Sequence, residues 1–370
     1  MFLTRDLNYG GAQSQLLILV KGLHEQGLSI AVIVFYANGP LEKQLREAGV
    51  EVQSLGKSGR WDVIGFLFRL IKAIRQRKPD LLHGYLVVPN ILTILLKIAS
   101  PQTRMVWGVR ASKLDLSRYD WLTLFSNRVE RALSRFADLI IVNSYAGLEH
   151  AVAQGFPRRR MLVIPNGIDT ERFRPDAKEG RQVRREWGLR DDLKVIGLVG
   201  RLDPMKDHPT FIRAAAHLVG ERSDLCFVCV GDGPANYRQE LLRICEELNA
   251  SEYFIFTGPL SNMPAIYNAM DIVVSSSSGE GFSNVIGEAM ACNIPCVATE
   301  VGDSSWIVGE DGHVVPAKNP KALKLAMAKL LDDINSNDNH DEEIRQRVVN
   351  HFSIPQLVLA TETALLSILN

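Results

Sequence analysis

Short apolar runs that alternate with helix-periodic stretches, first over residues 31–167 and again over 194–333, constrain this chain more than any other feature. AVIVFY (31–36), DLLHGY (80–85), RMVWGV (104–109), DLIIVNS (138–144) and MLVIPNG (161–167) have the length of buried strands. The segments between them, such as GAQSQLLILVKGLHEQG, carry apolar residues at helical spacing. A second series follows: KVIGLVGR (194–201), LCFVCVGDG (225–233), YFIFTG (253–258), DIVVSSS (271–277) and IPCVATEVG (294–302). Its helices are expected near 207–220, 236–249, 262–269, 284–292 and 320–333. Strands alternating with helices form doubly wound parallel sheets, so the fold class is α/β with two Rossmann-like domains.

Length agrees, because 370 residues exceed one ordinary core. The expected division is an N-terminal domain over 1–168, a charged linker with a short helix over 169–192, a second domain over 193–350, and an amphipathic helix over 351–370 lying near the lobe junction. Only Met1 to Thr4 precede the first loop, whereas the first strand of such a sheet is usually central and longer. A clipped N-terminus is the expectation.

The formal charge is zero but unevenly placed: residues 1–169 hold 22 Lys and Arg against 13 Asp and Glu, and the remainder holds 20 against 29. A basic half is drawn to anionic membranes or phosphorylated substrates, although solvated faces account for most such excesses. No aromatic-interleaved basic motif accompanies it, which argues against nucleic acid. No apolar run reaches the length needed to span a bilayer. The most lipid-like stretch is WDVIGFLFRLIKAIRQRK (61–78), an amphipathic helix that either covers a sheet or attaches to an interface. The five cysteines, 226, 229, 245, 292 and 296, lack framework spacing and read as buried thiols of a reducing, cytoplasmic compartment. Cys226 and Cys229 lie on one strand at odd separation, on opposite faces, so they share no metal.

Ligands of open α/β sheets bind beyond the carboxyl ends of the strands, and the unusual residues cluster there. In NYGGAQ (8–13), Gly10 and Gly11 admit a phosphate to backbone N–H groups ahead of a helix. In GLVGRLDPMKDHPTF (197–211), Arg201 and Lys206 suit a diphosphate, unless they merely answer Asp203 and Asp207. VGDGP (230–234), with Gly231, could admit a base or ribose, or is only a turn. In SSSSGEGFSNVIGEAMACNIPCV (275–297) the serines read as the end of a strand, and Ser283 as the N-cap of the next helix. The amides of Phe282, Ser283 and Asn284 then face a ligand, with Glu288 one turn along the helix and Glu280 in the loop. Two cations for phosphates and two acids for hydroxyls describe a sugar nucleotide. Neither half offers the dinucleotide glycine pattern, and no D-x-D occurs to clamp a divalent metal.

GGAQ (10–13), PNGID (165–169), GRLDPMKD (200–207), VGDGP (230–234), the Glu280/Glu288 pair and EAMACNIPCVAT together resemble family 4 of the glycosyltransferases, almost end to end. The resemblance implies the GT-B fold, two Rossmann-like lobes facing a cleft. It implies retaining transfer of a hexose from a nucleoside diphosphate sugar to a saccharide or lipid-linked acceptor, in cell-surface polysaccharide or glycolipid synthesis. No metal or other cofactor is expected, and the location implied is cytoplasmic, at the inner membrane face. Arg201 and Lys206 would bind the diphosphate, Glu288 the ribose and Glu280 the donor sugar, with Gly11 closing over the diphosphate. Arg201, Lys206 and Glu280 are the catalytic candidates. Arg110 stands where the family often has a histidine, and His83 matches a frequent acceptor-side histidine, although a lone strand-end histidine is more often structural. DSSWIVGE (303–310) replaces the usual glycine-rich segment around Asp303 and Ser304. Two other readings share these residues: a hydrolytic nucleotide-sugar 2-epimerase and a non-catalytic binder.

Overall fold

The computed structural model describes residues 1–59, 61–110, 121–310, 312–336 and 341–369. The chain forms two compact units, residues 1–167 with 354–370 and residues 168–353.

The first unit contains seven parallel strands: β1 (Phe2–Thr4), β2 (Ala31–Val34), β3 (Glu51–Ser54), β4 (Leu81–Tyr85), β5 (Arg104–Val109), β6 (Leu139–Val142) and β7 (Met161–Val163). Their order is β3-β2-β1-β4-β5-β6-β7, so the short β1 is central and the winding reverses between β1 and β4. One face carries α1 (Gly11–Glu25), α2 (Pro40–Glu47) and α15 (Ile354–Leu366), packed over Val32, Val34, Val106 and Ile141. The other carries α3 (Ile64–Arg77), α4 (Val87–Leu96), α5 (Trp121–Leu133) and α6 (Tyr145–Ala153). Leu357, Val358, Thr361, Ala364 and Leu365 form the buried stripe of α15. Its seat on α1 needs a residue without a side chain, since a Cβ on Gly22 would stand 2.3 Å from Val358 Cγ2.

In the second unit, β8 (Lys194–Val199), β9 (Leu225–Val230), β10 (Phe254–Gly258), β11 (Ile272–Ser275), β12 (Cys296–Thr299) and β13 (His313–Val315) are also all parallel. The order β10-β9-β8-β11-β12-β13 reverses between β8 and β11. The strand LCFVCV is buried throughout and alternates strictly: Cys226, Val228 and Val230 enter one core, and Leu225, Phe227 and Cys229 the other. The two cysteines thus face opposite ways, as their spacing predicts. Helix α8 (His208–Val219) buries Phe211, Ala214, Ala215 and Leu218, a helical-period stripe.

The segment expected as a linker is packed inside the second unit. Helix α7 (Ala177–Glu186) lies against α10 (Met263–Asn268), and a Cβ on Gly180 would meet the Asn268 carbonyl at 2.0 Å. Arg184 joins it to the sheet by donating to Asp271 at 2.6 Å. The chain passes from one unit to the other at 167/168 and returns at 353/354, ahead of α15, which packs on α1. Among the described residues no helix is long and apolar enough to cross a membrane.

Candidate functional site

The loops after β8 and β11 flank the point where the second sheet reverses direction, the place where such sheets accept ligands. Each loop is built by its own polar residues. Asp203 caps a single turn over 204–206 by accepting from the Met205 amide at 2.9 Å. Asp207, in the left-handed region at φ 49°, starts α8 by accepting from the Thr210 hydroxyl at 2.7 Å. Both acids are therefore engaged as caps, and only Asp203, through its other oxygen, also meets a cation of the loop. Arg201 stands 4.0 Å from Asp203 with 74% of its side chain exposed.

The serine run ties the two loops together and is more than a strand end, because β11 stops at Ser275. The Ser276 hydroxyl donates to the Lys206 and Asp207 carbonyls (2.8 and 3.0 Å). The Ser278 amide donates to the Met205 carbonyl at 2.7 Å. Ser277 donates to Glu280 Oε1 at 2.8 Å, and Lys206 Nζ reaches the same oxygen at 2.5 Å. The Lys206 and Glu280 side chains are only 18% and 10% exposed, so this pair is largely shielded from solvent screening. The expected division, a cation for phosphate and an acid for sugar, becomes one joined unit.

The glycines of VGDGP make room for this loop. Gly231, at φ 142°, would place a Cβ 2.0 Å from the Gly200 carbonyl oxygen, and Gly233 one 2.3 Å from that of Leu202. The Leu202 amide donates to the Asp232 carbonyl at 2.9 Å. Gly231 thus lets the backbone beside Arg201 close down.

Ser283 occupies the N-cap position of α11 (Asn284–Ala291), but its hydroxyl makes no capping bond, contrary to the expectation. The Phe282 ring is buried against Phe352, centroids 5.4 Å apart, and holds the loop in the core, so only its backbone remains for a ligand. Behind the loop, the Asp303 amide donates to the Gly281 carbonyl at 2.9 Å, while Asp303 and Ser304 are themselves buried. On α11, Glu288 accepts from the Tyr267 hydroxyl at Oε2, 2.8 Å away. Burial pushes the Glu288 carboxyl up to about 7, against the opposing pull of the Tyr267 hydrogen bond and the Arg172 charge. Tyr267 escapes sequence reasoning, since nothing in MPAIYN marks its hydroxyl as the partner of a residue 21 positions on.

Three expected residues lie in the first unit. Gly11 opens α1, and a Cβ there would meet nothing within 4 Å. His83 is the middle residue of β4, buried between Phe2 and Tyr85 with centroids 5.0 and 5.9 Å away, and neither ring nitrogen has a hydrogen-bond partner. Burial, then the charges of Arg110 and the N-terminal amine, hold its pKa down at about 3. It is a neutral core residue in the middle of its strand rather than at the strand's end. Arg110 leaves the end of β5, stacks 4.9 Å above the Tyr85 ring and donates to Asn166 Oδ1 at 2.6 Å. Gln15, also missed, fixes the loop holding Asn166: its amide donates to the Gly167 carbonyl (2.9 Å) and accepts from the Gly167 amide (2.8 Å).

Two family models match the chain, "Glycosyltransferase Family 4" over residues 9–172 and "Glycosyl transferases group 1" over 193–333. It is 34% identical over 209 residues to a D-inositol 3-phosphate glycosyltransferase of Corynebacterium urealyticum, covering 53% of this chain and 49% of that one. The chain thus spans about half the length of the first curated relatives it matches. A longer match, 26% identical over 89% of this chain and 88% of the other, is to a Campylobacter jejuni N-acetylgalactosamine-N,N'-diacetylbacillosaminyl-diphospho-undecaprenol 4-alpha-N-acetylgalactosaminyltransferase. In fold it resembles Anabaena HepE, solved in complex with UDP, with a TM-score of 0.87, 20% identity and 99% of both chains covered.

Proposed function

The chain belongs to the family 4, group 1 glycosyltransferases and has their two-Rossmann GT-B fold, and from that premise we propose that it transfers a hexose, with retention, from a nucleoside diphosphate sugar to a saccharide or lipid-linked acceptor. The observation that carries the proposal is the Lys206–Glu280 pair, fastened by serines at the sheet's switch point with Arg201 in the same loop. The C. jejuni relative and an Escherichia coli relative are both named for diphosphoundecaprenol acceptors, which favours a polyprenyl diphosphate acceptor and a role in surface polysaccharide or glycolipid synthesis. Anabaena HepE is described with UDP and with UDP-glucose, which favours a uridine nucleotide.

Each carboxylate is gripped on a single oxygen. Lys206 and Ser277 both meet Glu280 Oε1, and Tyr267 meets Glu288 Oε2, so Glu280 Oε2 and Glu288 Oε1 take part in neither contact. We assign the first to a donor-sugar hydroxyl and the second to the ribose. An ammonium has three protons, so Lys206 can keep Glu280 and still donate to a phosphate oxygen. Arg201, exposed and planar, bridges two more. The acceptor oxygen bonds to the anomeric carbon on the face from which the diphosphate departs. The carbon–phosphate-oxygen bond breaks, and the acceptor proton passes to the leaving phosphate. Charge gathers on that phosphate, where the two cations stabilise it without a metal. Backbone amides of Phe282 to Asn284 add to this.

Purified protein would be screened by thermal shift against a panel of nucleotide sugars, then assayed for nucleoside diphosphate release with and without a polyprenyl diphosphate saccharide. The transferase reading requires release that depends on acceptor and a product with the donor's anomeric configuration. Release with water as sole recipient would establish the 2-epimerase, and binding without turnover the non-catalytic protein.

A further inference from the structure

A cavity of about 450 Å³ lies wholly within the second unit, at the edge of its sheet away from Lys206 and Glu280. The loops after β8 and β11 leave the carboxyl ends of the strands, whereas this cavity sits at the amino ends of β11, β12 and β13, neighbours in the parallel sheet. Asp271 immediately precedes β11, Asn293 lies in the turn before β12, and His313 opens β13. Asp333, on the helix Pro320–Ser336, and Ala177, the first residue of α7, also line it. The whole length of β11 separates it from the loop that holds Glu280, so its occupant is not the donor. Small-molecule pockets span about 300–1,000 Å³, and this cavity falls among them.

Its lining is apolar in depth and acidic. Met270, Leu330 and Ile344 are buried and offer a ligand apolar surface. Asp271, Glu310 and Asp333 bring three carboxylates, and no lysine or arginine is among the described residues that line the cavity. Asp271 is answered by Arg184, which donates to it at 2.6 Å from outside that lining. Glu310 is exposed, and Asp333 Oδ2 stands 3.6 Å from His313 Nε2, beyond hydrogen-bond reach. These two acids leave the cavity with an excess of negative charge. The Asn293 Oδ1 atom is buried and has no hydrogen-bond partner among the described residues, a costly state for an acceptor unless a donor meets it. The acids are not gathered for an inorganic ion, since no cluster of Asp, Glu, His and Cys among the described residues could hold a metal. Acceptors spread around apolar walls suit an ammonium group, which offers three donors and a positive charge, carried on an apolar body.

We propose that this cavity binds a compact organic amine, with its ammonium drawn to Glu310, Asp333 and the Asn293 carbonyl and its apolar part against Met270, Leu330 and Ile344. The site is additional to the donor site and rests on no part of the transferase reading, so either can fail alone. Helix α11 carries Glu288 and ends beside the cavity at Cys292 and Asn293, so an occupant touches the end of the helix on which Glu288 stands.

Calorimetric titration of the full chain with matched probes tests it: tryptamine against indole-3-propionate, and phenethylamine against 3-phenylpropionate. Each pair shares an apolar skeleton and differs in the sign of its terminal charge. At least one amine should bind about 10-fold or more tighter than its carboxylate counterpart. The E310Q/D333N variant should lose about 10-fold in amine affinity by removing the attracting charge. Ala177→Trp brings an indole to the lining from an exposed position and should lose about 10-fold or more by filling the space a ligand needs. Both variants should retain the wild-type circular dichroism spectrum and the wild-type affinity for UDP, the nucleotide favoured above, and saturating UDP should leave amine binding in place. No binding by either amine, equal binding of amines and carboxylates, unchanged amine affinity in either variant, or displacement by UDP would each overturn the proposal. A chain that binds the amines in this pattern but not UDP would remove the transferase reading and keep this one.

Discussion

Lys206 and Glu280 stand 74 positions apart in the chain, yet they share one largely buried ion pair 2.5 Å long at the reversal point of a parallel sheet. Lys206 has Glu280 as its ion-pair partner, and Glu280 without Lys206 keeps only the Ser277 hydroxyl. Removing one partner of a buried pair costs about 3–5 kcal/mol, because the other charge remains desolvated and alone. Lys206→Ala should therefore lower stability by roughly that amount and turnover by about 10²-fold or more. Lys206→Met with Glu280→Gln should recover most of the stability in a denaturant titration while turnover stays lost. Recovery of both would remove the pair from catalysis.

Two carboxyls titrate high for one reason. Burial pushes both Glu130 and Glu288 up to about 7, against an ordinary value of 4.5. Between those pH values the unfolded chain has released protons that the native protein still holds, so stability falls as pH rises from about 4.5 to 7 and levels off above. Each site accounts for at most about 3 kcal/mol of that fall, by the free energy of one pKa unit. Glu130→Gln and Glu288→Gln should each raise the melting temperature at pH 8 relative to wild type, with the advantage gone near pH 4. Only Glu288→Gln should also weaken donor binding.

Tyr267 adjusts the second of these groups. Its hydroxyl stabilises the Glu288 carboxylate, so Tyr267→Phe should move the midpoint for donor affinity to higher pH and weaken binding at pH 7, leaving the maximal rate at high pH little changed. A uniform loss at every pH would mean that the tyrosine only packs.

Two glycines should respond oppositely to one added methyl group. Gly231→Ala drives a Cβ into the Gly200 carbonyl and should cost about 2–4 kcal/mol. Gly11→Ala meets nothing within 4 Å and should change stability by less than about 0.5 kcal/mol. Denaturation midpoints of the two variants separate these effects.

Local pattern made the fold legible wherever strands are buried on both faces. AVIVFY and LCFVCV announce themselves because nothing polar interrupts them, and the reversal-point loops follow from their glycines and charges. Two of the four edge strands do not: EVQS (β3) and HVV (β13) are short and polar or bounded by charge, whereas the edge strands β7 and β10 keep the apolar runs MLV and FIF. The site was legible as a set of residues but not as a set of bonds. Arg201, Lys206, Glu280 and Glu288 stand out by position, whereas their partners Ser277, Ser276 and Tyr267 are fixed only when distant loops meet. His83 was ambiguous for a related reason, since a histidine facing a core and one facing solvent look alike in DLLHGY.

The return of α15 to the first unit orders events during synthesis. Helix α1 leaves the ribosome well ahead of α15, so the groove at Gly22 that receives Val358 stays bare until more than 330 further residues have been made. The second unit, continuous from 168 to 353, can close while the first still waits for its last helix. A nascent chain halted anywhere before Ile354 therefore exposes the leucine-rich flank of α1, which makes it a substrate for chaperones that bind apolar surface and a target for proteolysis.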